Sequence, residues 1–151
     1  MTTTSEPYAV FRPRRSRVVA TVAAVASVIA FAVVALTVPR GGVTGWAGID
    51  SVMLVLFGVL IAAFLMRYAL VRAVPTERGL QVRNLISTRT IEWVQVVNVQ
   101  FGGGQPWLVL ELDDTEHLAV MAVQRSDGPS AQAEAGRMAA LVQVHSTVHD
   151  H

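Results

Sequence analysis

A few groups of side chains carry residue types that can do chemistry. His145 and His149 stand one helical turn apart, a ligand spacing used by zinc-binding helices, and Asp150 and His151 lie beside them. No glutamate sits between the histidines as in an HExxH helix, and the group is at the chain end, so a frayed polar tail is the better reading. Glu111, Asp113, Asp114 and Glu116 cluster around a turn and could offer oxygens to calcium or magnesium. Their spacing is not that of an EF-hand, and a solvated turn is the simpler reading. Gly102-Gly103-Gly104 has no following Lys-Ser/Thr and opens no helix, so it fails as a phosphate loop and reads as a hairpin loop. The chain has no cysteine, which excludes disulfides and thiolate chemistry. With no catalytic signature, the chain is expected not to be an enzyme and to need no cofactor or metal.

The basic residues are more informative. All 12 are arginine, and net charge is +1. The absence of lysine is better explained by a GC-rich coding bias than by selection for phosphate contact. Arg72, Arg78, Arg83 and Arg89 fall together in a strand-rich stretch, and guanidinium groups match phosphate geometry. They are the candidate contacts for anionic lipid or for a protein partner; a solvated rim beside a membrane would explain the same pattern. The acidic residues concentrate beyond residue 98, so nucleic-acid binding is not expected.

These residues must be positioned by elements, and the dominant elements are two apolar runs, 18–38 and 51–66, that carry no charge. A helix rises about 1.5 Å per residue, so a run of about 20 residues spans a hydrocarbon core of about 30 Å. A lone strand in lipid would leave its backbone unsatisfied, so helix is expected despite the many valines. The second run extends through Tyr68 to Val71, with Arg67 reaching toward the head groups. Two alternatives are a buried hairpin of a soluble protein, which should show a polar face, and a cleaved signal peptide ending near Ala24-Val25-Ala26, whose apolar part should be shorter. Arg12, Arg14, Arg15 and Arg17 precede the first run and Arg67, Arg72, Arg78 and Arg83 follow the second, whereas the Gly-rich loop 39–50 has only Arg40, offset by Asp50. The positive-inside rule then sets both termini in the cytoplasm of a multi-pass cell-membrane protein.

After Val71 the apolar period becomes two, the signature of strands. Leu80 and Val82 alternate with Gln81 and Arg83; Ile91 and Trp93 face inward; Val97, Val99 and Phe101 alternate with Asn98 and Gln100. Strands at 107–112 and 117–123 flank the hairpin signal Asp113-Asp114-Thr115. Asp127-Gly128-Pro129-Ser130 starts a helix whose buried face is Ala131, Ala135, Met138, Leu141 and Val142. The expected organisation is a basic tail at 1–17, disordered to about Ala9; spans at 18–38 and 51–71 around the loop 39–50; a cytoplasmic domain at 72–145; and a frayed tail at 146–151.

Strands followed by one closing helix are similar to a pleckstrin-homology (PH)-like barrel. Pro75-Thr76-Glu77-Arg78-Gly79-Leu80-Gln81-Val82-Arg83-Asn84, Arg89-Thr90-Ile91-Glu92-Trp93 and Val120-Met121-Ala122-Val123-Gln124 with Asp127-Gly128 resemble the bacterial PH-like domain of actinobacterial membrane proteins, the family of low molecular weight protein antigen 6. Two spans ahead of the domain fit that family. The resemblance implies an α+β membrane protein, a transmembrane hairpin followed by an antiparallel β barrel or sandwich closed by one helix. Residues and resemblance together lead to the expectation of a non-enzymatic interaction module that recruits an unknown membrane or cytoplasmic protein, with binding of anionic lipid, or service as an accessory subunit of a larger membrane complex, as the alternatives.

Overall fold

In the computed structural model, which describes residues 6–147, the chain forms two compact units. One is Arg17–Ala69; the other joins the residues up to Ser16 with those from Leu70 onward. The expectations for His149, Asp150 and His151, and for 1–5 as a disordered tail, lie outside the described residues.

The first unit is a helical hairpin. Helix α1 is Arg14–Thr37, whose first turn belongs to the other unit, and α2 is Gly48–Ala69. Both are long and apolar enough to cross a membrane, and only 17% of either apolar window is buried. A core helix of a soluble protein would be mostly buried, so the exposed Val, Leu and Phe side chains argue against that alternative. The two helices meet on small residues: Ala24 and Ala35 on α1, Ser51 and Gly58 on α2 are buried. Ser51 Oγ donates to the Ala35 carbonyl (3.0 Å) and Ser27 Oγ to that of Gly58 (3.4 Å). Gly58 has a steric role, because a Cβ there would lie 2.7 Å from Phe31 Cβ. Gly45 in the loop and Gly48 at the start of α2 have open space around them.

In the second unit, β1 (Arg72–Pro75), β2 (Gly79–Arg83) and β3 (Thr88–Glu92) form one antiparallel sheet in that order. Strands β4 (Val96–Gln100), β5 (Trp107–Leu112) and β6 (His117–Gln124) form another, and α3 (Pro129–Thr147) follows. The inward set read from the alternation is buried, with Leu80, Val82, Ile91 and Trp93 joining Leu108, Leu110, Val120 and Met138 in one core. Gly79 is buried against β3, where a Cβ would meet the Ile91 carbonyl oxygen at 2.0 Å.

Four expectations are corrected. The sheets do not close into a barrel: they remain two three-stranded sheets. Between them, Asn84 acts as a side-chain rung, its Nδ2 donating to the Ala119 carbonyl (2.7 Å) and its Oδ1 accepting from Met121 N–H (3.2 Å). Val97 is exposed, because the β4–β5 register shifts between Val96 and Asn98 and that bulge turns Val96 inward instead. Helix α2 ends at Ala69, and Val71, expected in the span, is 1% exposed in the domain core. The basic segment ahead of α1 is not a free tail. Phe11 pairs with Ala73 in an antiparallel bridge and is fully buried, and the guanidinium of Arg137 lies 3.7 Å from its ring centroid. Arg137 also donates to the carbonyls of Pro7 (3.2 Å) and Ala9 (2.7 Å).

Candidate functional site

The β1–β2 register places Arg72 directly opposite Arg83. Their neighbours Ala73 and Val82 are buried, and side chains alternate along a strand, so the two arginines share the outer face of the sheet. The Phe11–Ala73 bridge is antiparallel, with mutual hydrogen bonds of 2.8 and 3.0 Å, and one step along it brings Arg12 beside Arg72. Arg12 thus extends the row. Neighbouring strands lie about 4.8 Å apart, so Arg12, Arg72 and Arg83 cross the sheet within about 10 Å. Arg12 is exposed and the other two are half-buried. Among the described residues, the ion pairs are Arg89–Glu116 and Arg137–Glu134, and neither involves this row.

The other two candidate arginines lie elsewhere. Arg78 sits in the β1–β2 turn, at the far end of the hairpin from Arg72 and Arg83. Strands rise about 3.3 Å per residue, which separates Arg78 from the row by roughly 15 Å. Arg89 pairs in register with buried Val82, so it emerges from the opposite face, and it binds Glu116 at 2.5 Å. Of Arg72, Arg78, Arg83 and Arg89, the fold brings together only Arg72 and Arg83. Arg12, read from sequence as a topology signal, joins them. The available clue was Phe11, a large apolar residue embedded in a basic segment.

The remaining candidates are occupied locally. Asp114 accepts from Glu116 N–H (3.0 Å) inside the β5–β6 turn, Glu116 holds Arg89, and Glu111 accepts from Asn98 (3.4 Å) and Gln100 (3.3 Å). Among the described residues no group of three acidic or histidine side chains is arranged to hold a metal. His145 stacks on Trp93 with ring centroids 5.2 Å apart, and its Nδ1 lies 2.7 Å from the Leu141 carbonyl. The glycines at 102–104 form the β4–β5 connection. Asp127, read as part of the start of α3, is spent on α1 instead: its carboxylate accepts from the backbone N–H groups of Arg14 (3.0 Å) and Arg15 (2.9 Å).

Residues 71–140 match the model of the bacterial PH domain family. That stretch is similar to bacterial PH domains. The chain also has relatives: an uncharacterized protein of Mycobacterium tuberculosis and one of Mycobacterium bovis are each 36% identical over 84 residues, covering 56% of this chain and 54% of theirs. The match thus spans about half the length of these curated relatives. No solved structure matches the chain. The comparisons indicate no enzyme family. The matched stretch contains Arg72 and Arg83, whereas Arg12 and Phe11 reach it from outside.

Proposed function

We propose that this chain is a non-enzymatic, membrane-anchored PH module that holds the phosphates of anionic lipid head groups at the cytoplasmic leaflet through Arg12, Arg72 and Arg83. The observation that carries this reading is the row itself. Like charges placed side by side repel, and no described carboxylate compensates them. An anion bridging the row relieves that repulsion. Guanidinium forks bind phosphate in bidentate fashion, and each arginine near an anionic leaflet contributes about 1 kcal/mol. Arg72 follows the last residue of α2 by three positions and Arg12 precedes the first residue of α1 by two, so both are membrane-proximal in sequence.

The test is native mass spectrometry of the full chain in detergent with added phosphatidylglycerol or phosphatidylcholine. Phosphatidylglycerol is expected to be retained preferentially, and Arg72→Gln with Arg83→Gln is expected to lower its retention by about thirtyfold, toward that of the neutral lipid. Equal retention of both lipids by the unaltered chain would refute the reading. Orientation is tested separately: a reporter active only in the cytoplasm, fused after His151, is expected to be active.

A second reading, recruitment of a protein partner, is favoured by one observation. Val94 and Val97 expose 52% and 64% of their surface near the β4 bulge. Purification of the full chain in mild detergent would reveal a stable partner, lost on Val94→Ser with Val97→Ser.

A further inference from the structure

Among the described residues of the domain, the turn between β2 and β3 carries the most exposed large apolar side chain: Ile86 is 85% exposed. The turn is not a loose loop. Asn84 N–H donates to the Ser87 carbonyl (2.8 Å), and the Asn84 carboxamide is fixed on Ala119 and Met121. Ile86 is therefore held out on a braced tip, so that little ordering is needed when it meets a surface. Arg83 stands at the base of the same turn, in the row with Arg72, whereas Arg89 lies on the opposite face and is held by Glu116. An isolated exposed isoleucine needs no explanation. One on a rigid tip, with guanidinium groups at its base and a strand partner three residues from an apolar helix, has the form of an interfacial anchor: an apolar group for the acyl boundary, flanked by cations for the phosphates.

We infer that the β2–β3 turn is a second membrane contact, in which Ile86 enters the head-group and acyl boundary while Arg72 and Arg83 hold phosphates above it. This rests on the phosphate reading for its charge dependence, but insertion of Ile86 is a separate event.

The natural chain has no cysteine, so a single probe can be placed cleanly. The full chain carrying Ile86→Cys, labelled with an environment-sensitive fluorophore, is reconstituted in nanodiscs of phosphatidylcholine with phosphatidylglycerol. Some discs also contain lipid spin-labelled just below the head group. Val97→Cys, exposed on β4, is the comparison. A group seated at the interface lies within about 5–10 Å of such a quencher, so the Ile86 probe is expected to lose about half its emission while the Val97 probe loses little. Quenching of the Ile86 probe no greater than that at Val97 overturns the inference, as does a blue shift without quenching, which would place Ile86 against a second copy. If quenching is as strong in purely neutral discs, and persists with Arg72→Gln and Arg83→Gln, insertion stands and the phosphate reading falls. If selective lipid retention survives but Ile86 is not quenched, the phosphate reading stands and the insertion falls.

Discussion

Arg72 and Arg83 face each other across the β1–β2 ladder with no described acid between or beside them. Like charges directly opposite on a sheet destabilise it by roughly 0.2–1 kcal/mol. Neutralising one should therefore stabilise the domain while weakening its hold on anionic lipid. Arg83→Gln is expected to raise the thermal midpoint in lipid-free detergent by a few degrees, since about 1 kcal/mol moves a domain of this size by about 4–8 °C. Anionic lipid should raise the midpoint of the unaltered chain more than that of the variant. A fall in stability on Arg83→Gln would mean that the guanidinium serves the fold rather than a ligand.

Asn84 replaces a strand rung between the two sheets, one carboxamide serving the Ala119 carbonyl and the Met121 amide together. Asn84→Ala leaves both backbone groups without that partner, in a part-buried site. The expected cost is about 1–3 kcal/mol. Hydrogen exchange offers the local measurement: the Met121 amide should exchange faster, whereas the Leu110 amide in the β5–β6 ladder should change only as far as global stability does.

What could be read from residues follows the range of the physics behind it. The face Ala131, Ala135, Met138, Leu141 and Val142 of α3 is buried as the 3.6-residue period requires, and Leu80, Val82, Ile91 and Trp93 obey the period of two. Those patterns are local. The row of arginines is not, because it depends on register: Arg12 meets Arg72 through a bridge joining residues 62 positions apart. The same holds for Val97, where one bulge reversed an alternation that the sequence carries without interruption. The candidate site was half legible, since Arg72 and Arg83 were named for their type but grouped with Arg78 and Arg89 by proximity in sequence alone.

Phe11 tests whether the segment before α1 is part of the domain. It is fully buried beneath Arg137 and paired with Ala73. Truncating a buried phenylalanine costs about 3–5 kcal/mol, a large share of a typical domain's 5–15 kcal/mol. Phe11→Ala should therefore lower the midpoint of the domain sharply, whereas Val10→Ala, at a 37% exposed neighbour, should leave it nearly unchanged. Equal, small effects at both positions would return the segment to the status of a tail.

Asp127 links the end of β6 to the first turn of α1, where helix N–H groups have no partner within the helix. The carboxylate accepts from two of them and also meets the positive end of the helix dipole. Asp127→Ala should cost about 0.5–2 kcal/mol, as for other lost helix caps. Asp127→Asn, which keeps one acceptor oxygen, should cost less. The informative measurement is exchange at the amides of Arg14 and Arg15: both should accelerate in Asp127→Ala, and unchanged rates would show that water caps the helix equally well.

Gly58 and Phe31 decide how closely α1 and α2 approach. A methyl group at Gly58 would sit 2.7 Å from Phe31 Cβ, a distance the flexible end of the ring cannot relieve. The Phe31 ring is further held by an edge-on contact with Phe57, centroids 5.6 Å apart. Gly58→Ala should therefore push the helices apart and weaken the Ser27 hydrogen bond to the Gly58 carbonyl, at about 1–3 kcal/mol for overpacking. Phe31→Ala alone should also destabilise the hairpin, by loss of packing. The two together should cost less than their sum, because removing the ring makes room for the methyl group, and such coupling is the signature of direct contact. Unfolding of the full chain in mixed micelles, followed for all four variants, measures that difference; strict additivity would mean that the helices do not meet at these two residues.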